Sequence, residues 1–270
     1  MAGNSSQARG RSVTSKVVAL LDAFTPADPE LSLTELSRRT GLPMSTTYRL
    51  ATELVEWGGL ERANGSGYRI GLRIWELGLQ ATRGMSVRDV AQPFLQDLHQ
   101  ATGENVHLGV RDGREGLYVE KIAGRRWVTP QSRRGGRFAL HATGVGKVLL
   151  AYAPAELVDE LLAAGLTRYT AHTIVAPGHL RRALAEVRRS GIAFAREERT
   201  PGSTSVAAPV FDAQGRATAA LAVVLRSSRP NLQRLGPAVR TAAISISREL
   251  RAPAARDEQE SSGQLVARGR

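Results

Sequence analysis

The chain has 270 residues, 42% of them hydrophobic, and no cysteine; it can build a sizeable core, while disulfides, zinc fingers and thiol nucleophiles are excluded. No apolar run reaches the roughly 18 to 20 residues that span a bilayer, and the basic N-terminus lacks the apolar stretch of a secretory signal, so a cytoplasmic protein with no membrane partner is expected. The net charge of +12 invites a nucleic-acid reading, yet residues 1–84 hold 10 basic and 8 acidic side chains, so most of the excess lies further on, and a genome-wide arginine bias explains it equally well.

In chain order, residues 1–12 are small, polar and basic and read as a flexible arm. Val17, Leu20, Leu21 and Phe24 fall at i, i+3, i+4 and i+7, one face of a helix. Pro26 and Pro29 break the chain, and Thr34 begins a short second helix that Gly41 stops. Pro43 suits the first turn of a third helix, in which Thr47, Leu50, Ala51 and Leu54 point inward. Two strand-like pieces between Leu60 and Ile70 flank Asn64-Gly65, a strong hairpin signal. Residues 72–84 read as a linker helix carrying Leu72, Trp75 and Leu79.

Beyond Gly84, a helix through Val87, Val90, Phe94 and Leu98 ends at Gly103. Strands are expected at 105–110, 116–122, 205–211 and 217–225, with helices around 144–152, 155–164, 178–190 and 233–250. Helices combined with a mainly antiparallel sheet define an α+β domain over residues 85–251. The polar tail, 252–270, is expected to be disordered.

Three helices followed by a hairpin, over residues 13–71, are the layout of a winged helix-turn-helix. Its third helix must bury one face and offer the other to the DNA major groove. Ser45, Arg49, Thr52 and Glu56 lie opposite the apolar stripe. The expected DNA contacts are Ser45, Thr46, Thr47 and Arg49 near the helix start, with Arg49 suited to guanine or phosphate. Arg38 and Arg39 suit backbone contacts, and the wing tip with Arg62, Asn64 and Arg69 is expected along the backbone or the minor groove. The alternatives are a three-helix packing unit or a protein-binding winged helix, and Ser45 or Thr46 can equally serve as helix caps.

The run LSLTELSRRTGLPMSTTYRLATELVEWGGLER closely resembles the first domain of the IclR family of bacterial regulators. The resemblance continues through YRIGLRIWELG and TGENVHLGVRDGREGLYVEKIAG, and then GGRFALHATGVGKVLLA and TIVAPGHLRRALAEVRRSGIAFAREERTPGSTSVAAPVFD. It spans about residues 13–250 in order. It implies homodimers through the N-terminal domains, often tetramers, palindromic double-stranded DNA operators, and a GAF-like C-terminal domain whose small-molecule effector alters DNA binding. Family members often carry Lys or another polar residue where this chain has Met44, so one phosphate contact is placed in doubt.

The resemblance also implies effector-binding positions. Backbone N–H groups of Gly144 and Val145 would receive a carboxylate, as helix starts favour anions; a structural turn before helix 144–152 is the alternative. The family's polar pocket residues fall on Ala195, Ser205, Ala222 and Val224. Family members that bind small oxo-acids carry an acid at the first of these and serines at the last two. Residues 222 and 224 share a strand face, which is apolar here. A relatively apolar effector, such as an aromatic or alicyclic acid, is therefore expected rather than glyoxylate or pyruvate; a degenerate pocket without effector is the competing reading.

No enzyme chemistry and no cofactor are expected. Gly144-Val145-Gly146-Lys147 lacks the first glycine and the Ser or Thr of a phosphate loop. The five histidines show no metal-ligand spacing, although His172 and His179 leave a zinc site open. Glu197-Glu198 is expected to pair with Arg196 or Arg199 rather than perform acid–base work. The sequence leaves open whether the regulator represses or activates, and a sensor acting only through protein partners is the alternative function.

Overall fold

A computed structural model of the chain describes residues 12–63, 65, 67–80, 82–124, 132–228 and 232–252. The arm up to residue 11, Asn64 at the wing tip, and the tail from residue 253 lie outside the described residues. The chain divides into two compact units, Met1–Thr82 and Arg83–Arg270.

In the first unit, α1 (Val13–Asp22) begins at Ser12, whose hydroxyl accepts from the Ser15 N–H. After β1 (Glu30–Ser32), α2 (Leu33–Thr40) is opened by a reciprocal box. The Ser32 N–H donates to Glu35 Oε2 at 2.9 Å and the Glu35 N–H to Ser32 Oγ at 3.2 Å, satisfying two donors that a helix start leaves orphaned. Gly41 closes α2 at φ +68°, a conformation that side chains with a Cβ resist. α3 (Met44–Glu56) follows with Pro43 at its N-cap, one residue outside the expected first turn. Then come β2 (Leu60–Arg62) and β3 (Gly67–Ile70), with β3 central in an antiparallel sheet ordered β1-β3-β2. Leu20, Leu31, Leu36, Leu50, Leu54 and Tyr68 form the core. Burying each leucine contributes about 1.5–3 kcal/mol. α4 (Leu72–Leu79) buries none of its residues, and Leu72 and Trp75 are 69% and 63% exposed.

The second unit starts with α5 (Thr82–Thr102). Its sheet comprises β4 (Asn105–Asp112), β5 (Glu115–Ile122), β6 (Arg137–Ala139), β7 (Ala193–Arg196), β8 (Ser203–Phe211) and β9 (Ala217–Arg226). All pairings are antiparallel, in the order β6-β5-β4-β9-β8-β7. Between β6 and β7 lie α6 (Gly144–Ala151), α7 (Ala155–Ala163) and α8 (Pro177–Ser190); α9 (Leu232–Arg251) closes the unit.

The two-residue period of β9 sorts the sheet into two faces. Leu221, Val223 and Leu225 meet Leu95 and Leu98 of α5 and Val239 and Ile246 of α9. Ala220 and Ala222, with Ala207 of β8, meet Val148 and Leu149 of α6 and Leu180 and Leu184 of α8. The alanines let α6 approach closely. Gly144 carries this furthest, because a Cβ there would lie 2.7 Å from Ser205 Oγ. Together the units are an α+β protein, a winged helix-turn-helix followed by a sheet with helices on both faces, as expected of a GAF-like sensor.

Candidate functional site

The start of α3 presents the features of a DNA-reading surface. Leu50, Ala51 and Leu54 are buried, which turns Ser45 and Arg49 outward and leaves Thr46 half-buried. The helix has no side-chain cap, so neither the Ser45 nor the Thr46 hydroxyl is spent on capping. Arg49 is exposed and reaches along its own helix to Glu53 at 2.7 Å, a surface pair that exchanges readily for a stronger phosphate or base partner. Thr47 is a correction. It is fully buried, and its hydroxyl donates to the Pro43 carbonyl at 3.0 Å, so it belongs to the core and cannot reach DNA.

The flanking arginines divide. Arg38 is exposed at the end of α2, and Arg62 is exposed with its guanidinium 4.5 Å above the Tyr68 ring. Arg39, by contrast, is fixed within the domain by Asp28 at 2.9 Å and by the Ala23 carbonyl at 3.0 Å. Arg69 is held by Glu61 at 2.9 Å. These two cations are already neutralised.

In the second unit a cavity lies against the α6 face of the sheet. Cα pairing aligns Ala195 of β7, Ser205 of β8 and Val224 of β9 in one row, and all three line the cavity. Ala222 is a correction. It sits two pairs further along β9, opposite Ala207 and His107, is fully buried in the core, and lines no part of the cavity. Two aromatic rings, Tyr118 of β5 and Phe138 of β6, form another wall with centroids 4.2 Å apart. The cavity measures about 60 Å³, room for about four to six waters and less than half of the roughly 150 Å³ that encloses a benzene ring, so a ring would have to extend beyond it or displace its walls.

The cavity edge is more polar than the sequence implied. Thr143 lines it and caps α6, its hydroxyl accepting from the Gly146 N–H at 2.9 Å. The Thr143 carbonyl takes the Lys147 N–H; Gly144 and Val145, one and two residues further into α6, are buried and are not among the residues that line the cavity. The loop between β7 and β8 supplies Glu198, Arg199 and Thr200. It is held by three tethers: Thr170 Oγ1 donates to the Glu197 carbonyl, Thr173 Oγ1 to the Glu198 carbonyl, and Lys147 Nζ pairs with the Glu198 carboxylate. Glu197 has φ +54°, a strained conformation that persists because these contacts over-determine the loop. The Glu198–Lys147 pair replaces the expected partners Arg196 and Arg199. The Arg199 guanidinium instead stacks 3.9 Å from the Tyr169 ring centroid.

His107 of β4 lines the cavity and was not anticipated as a site residue. Burial, with the Lys121 charge adding to it, pushes its pKa down to about 3; burial also pushes the Tyr118 phenol up. Among the described residues no group of three or more His, Cys, Asp or Glu side chains is placed to hold a metal, so His172 and His179 form no such cluster there. Among the same residues no helix is long and apolar enough to cross a membrane.

Comparison with known proteins places both units. Residues 13–63 match the IclR helix-turn-helix domain, and residues 79–248 match the bacterial transcriptional regulator IclR C-terminal domain. The chain is 35% identical to the HTH-type transcriptional regulator XynR of Escherichia coli over 244 residues, 88% of this chain and 97% of that protein. It is 34% identical to the HTH-type transcriptional regulator BhcR of Paracoccus denitrificans, covering 80% of each chain. Among solved structures, it resembles an IclR homolog from Microbacterium hydrocarbonoxydans complexed with 4-hydroxybenzoate. The TM-score is 0.85 at 32% identity, covering 89% of this chain and all of that one.

Proposed function

The chain belongs to the IclR family of bacterial transcriptional regulators, and from that premise we propose how its two units work. It is a DNA-binding transcription regulator with an effector-binding domain, and its relatives are regulators rather than enzymes. Residues 13–71 read DNA, 72–84 connect, and 85–251 sense a ligand. Ser45, Thr46 and Arg49 contact base edges or phosphates, and Arg38 and Arg62 neutralise phosphates. The observation that carries this assignment is the division of α3 into a buried apolar stripe and a polar face whose hydroxyls are free of capping duty. The protein acts in the cytoplasm as a homodimer or as a tetramer built of two such dimers, with the exposed Leu72 and Trp75 of α4 supplying apolar surface for self-association. Two-fold symmetry requires a palindromic operator with half-sites about one helical turn, or a multiple, apart.

The effector is a compact organic acid with one ring. Its carboxylate meets the Gly144 and Val145 N–H groups, and its ring lies between the Tyr118 and Phe138 walls and the Ala195 and Val224 floor. The ligand of the Microbacterium relative supports this reading. Glyoxylate and pyruvate would find Ser205 as the one hydroxyl on that floor row, and each unmet polar group costs about 1–3 kcal/mol.

Two measurements test these assignments. In a gel shift against the promoter beside the gene, Arg49→Ala is expected to weaken specific binding about 10- to 100-fold; an unchanged shift sinks the proposed recognition helix. In calorimetric titration, single-ring acids are expected to bind more tightly than glyoxylate and pyruvate. Tight glyoxylate binding with no ring-acid binding rejects the effector class.

A further inference from the structure

His107 is 2% exposed, lines the cavity, and neither Nδ1 nor Nε2 has a hydrogen-bond partner among the described residues. Around it stand the Tyr118 ring, edge-on with centroids 5.0 Å apart, and Ala222 and Lys121 on the adjoining strands. The Lys121 ammonium donates to Ser132 Oγ at 3.3 Å. A buried imidazole with both nitrogens unmatched is costly, because a desolvated polar group forfeits its bonds to water. Such a group persists where a ligand supplies what the fold does not.

We propose that His107 is a specificity-determining residue of this cavity, meeting a hydroxyl substituent on the ring of the effector, so that the preferred ligand is a hydroxylated ring acid. The proposal rests on the ring-acid reading above and adds the second polar end of the ligand. The chemistry of the imidazole selects the partner. Held neutral by burial, it offers one N–H donor and one lone pair. A hydroxyl can donate to the lone pair or accept from the N–H. A carboxylate can only accept, and finds no positive charge on this ring to offset its own. The acid end therefore goes to the start of α6 and the hydroxyl end to His107. A bare ring would leave both nitrogens as unmatched as they are without ligand, and so would gain nothing from His107. Glu198 Oε2 is also buried and unpartnered at this cavity, but it is an acceptor only, on a carboxylate already paired with Lys147.

The test is calorimetric titration of the full-length protein with benzoate and with 2-, 3- and 4-hydroxybenzoate. In wild type, the best hydroxybenzoate is expected to bind about tenfold or more tightly than benzoate. His107→Phe is expected to bring that ratio to near one by removing the partner of the hydroxyl, and to leave the ligand-free melting temperature equal or higher, since an unmatched polar group has been removed. His107→Gln, which keeps a donor and an acceptor, is expected to retain part of the preference and carries the comparison if the Phe variant does not fold. A ratio of one in wild type overturns the proposal while leaving the ring-acid reading intact. So does a preference that survives His107→Phe, which would point to Glu198. If none of the four acids binds wild type, the ring-acid reading falls and this proposal with it.

Discussion

An unfolded His107 takes up a proton near pH 6.5, whereas in the native protein burial, aided by the Lys121 charge, holds the pKa down to about 3. Between those values the unfolded chain binds the extra proton, so stability falls as pH falls, by up to about 1.4 kcal/mol per pH unit from this group. Urea unfolding at pH 7, 6, 5 and 4 is expected to show a shallower pH dependence for His107→Phe than for wild type; parallel curves would mean that the ring is already protonated or solvated in the native state. That His107 escaped the sequence reading has a physical reason. Its role comes from what it lacks, partners, and partners are set by strands that join residues over a hundred positions apart. Thr47 failed in the opposite direction: its inward position was legible from the helical period, and that position is incompatible with touching DNA. Ala222 sits on the same face of β9 as Val224, yet two pairs further along the strand the sheet is closed over by core. A strand period reports the face, not where on that face a cavity opens.

The elements that were legible are those with a long apolar period or a strong local signal. α3, α8 and α9 follow their stripes, as does α1 up to Leu21, with Phe24 lying past its end at Asp22, and β8 and β9 follow their uninterrupted apolar runs. β1, β6 and β7 are three or four residues long, shorter than the stretch over which alternation can be recognised, and the sheet alone defines them. The start of α2 is similarly local: Thr34 was expected to open it, while the Ser32–Glu35 box places the cap two residues earlier. Ser32→Ala is expected to cost about 1 kcal/mol of local stability, seen in hydrogen exchange as about fivefold faster exchange of the α2 amides; unchanged protection would show that tertiary packing alone fixes this end. The β7–β8 loop depends on a longer-range tie. Lys147 and Glu198 are each more than nine-tenths buried, so Lys147→Met strands a carboxylate and is expected to destabilise the protein by about 3–5 kcal/mol. Lys147→Met with Glu198→Leu should recover much of that loss in the same urea titration. If the double variant is no better than the single, the pair is not the tether.

On the scale of the whole molecule, the +12 charge and the DNA-binding function come apart. Residues 1–84 carry 10 basic against 8 acidic side chains, and within the head Arg39 and Arg69 already face Asp28 and Glu61. Arg38, Arg49 and Arg62 are then the cations of the proposed site left for phosphates, because the Arg49–Glu53 pair is exposed on both sides and weak. Each phosphate neutralised releases counterions, so the logarithm of the binding constant falls with the logarithm of salt concentration by about 0.9 per contact. Two heads on a palindrome, with about three contacts each, give a slope near −5. Hydroxyl contacts from Ser45 and Thr46 add affinity without adding to it, since they displace no condensed ions. Fluorescence anisotropy on an operator duplex between 50 and 300 mM salt would measure the slope. A value near −5 that drops by about two in Arg62→Ala, one contact per head, supports a head that works with few charges and reads by shape and hydroxyls. A slope near −10 would mean that the basic excess beyond residue 84 also lies on the DNA, and the division of labour between the two units would have to be redrawn.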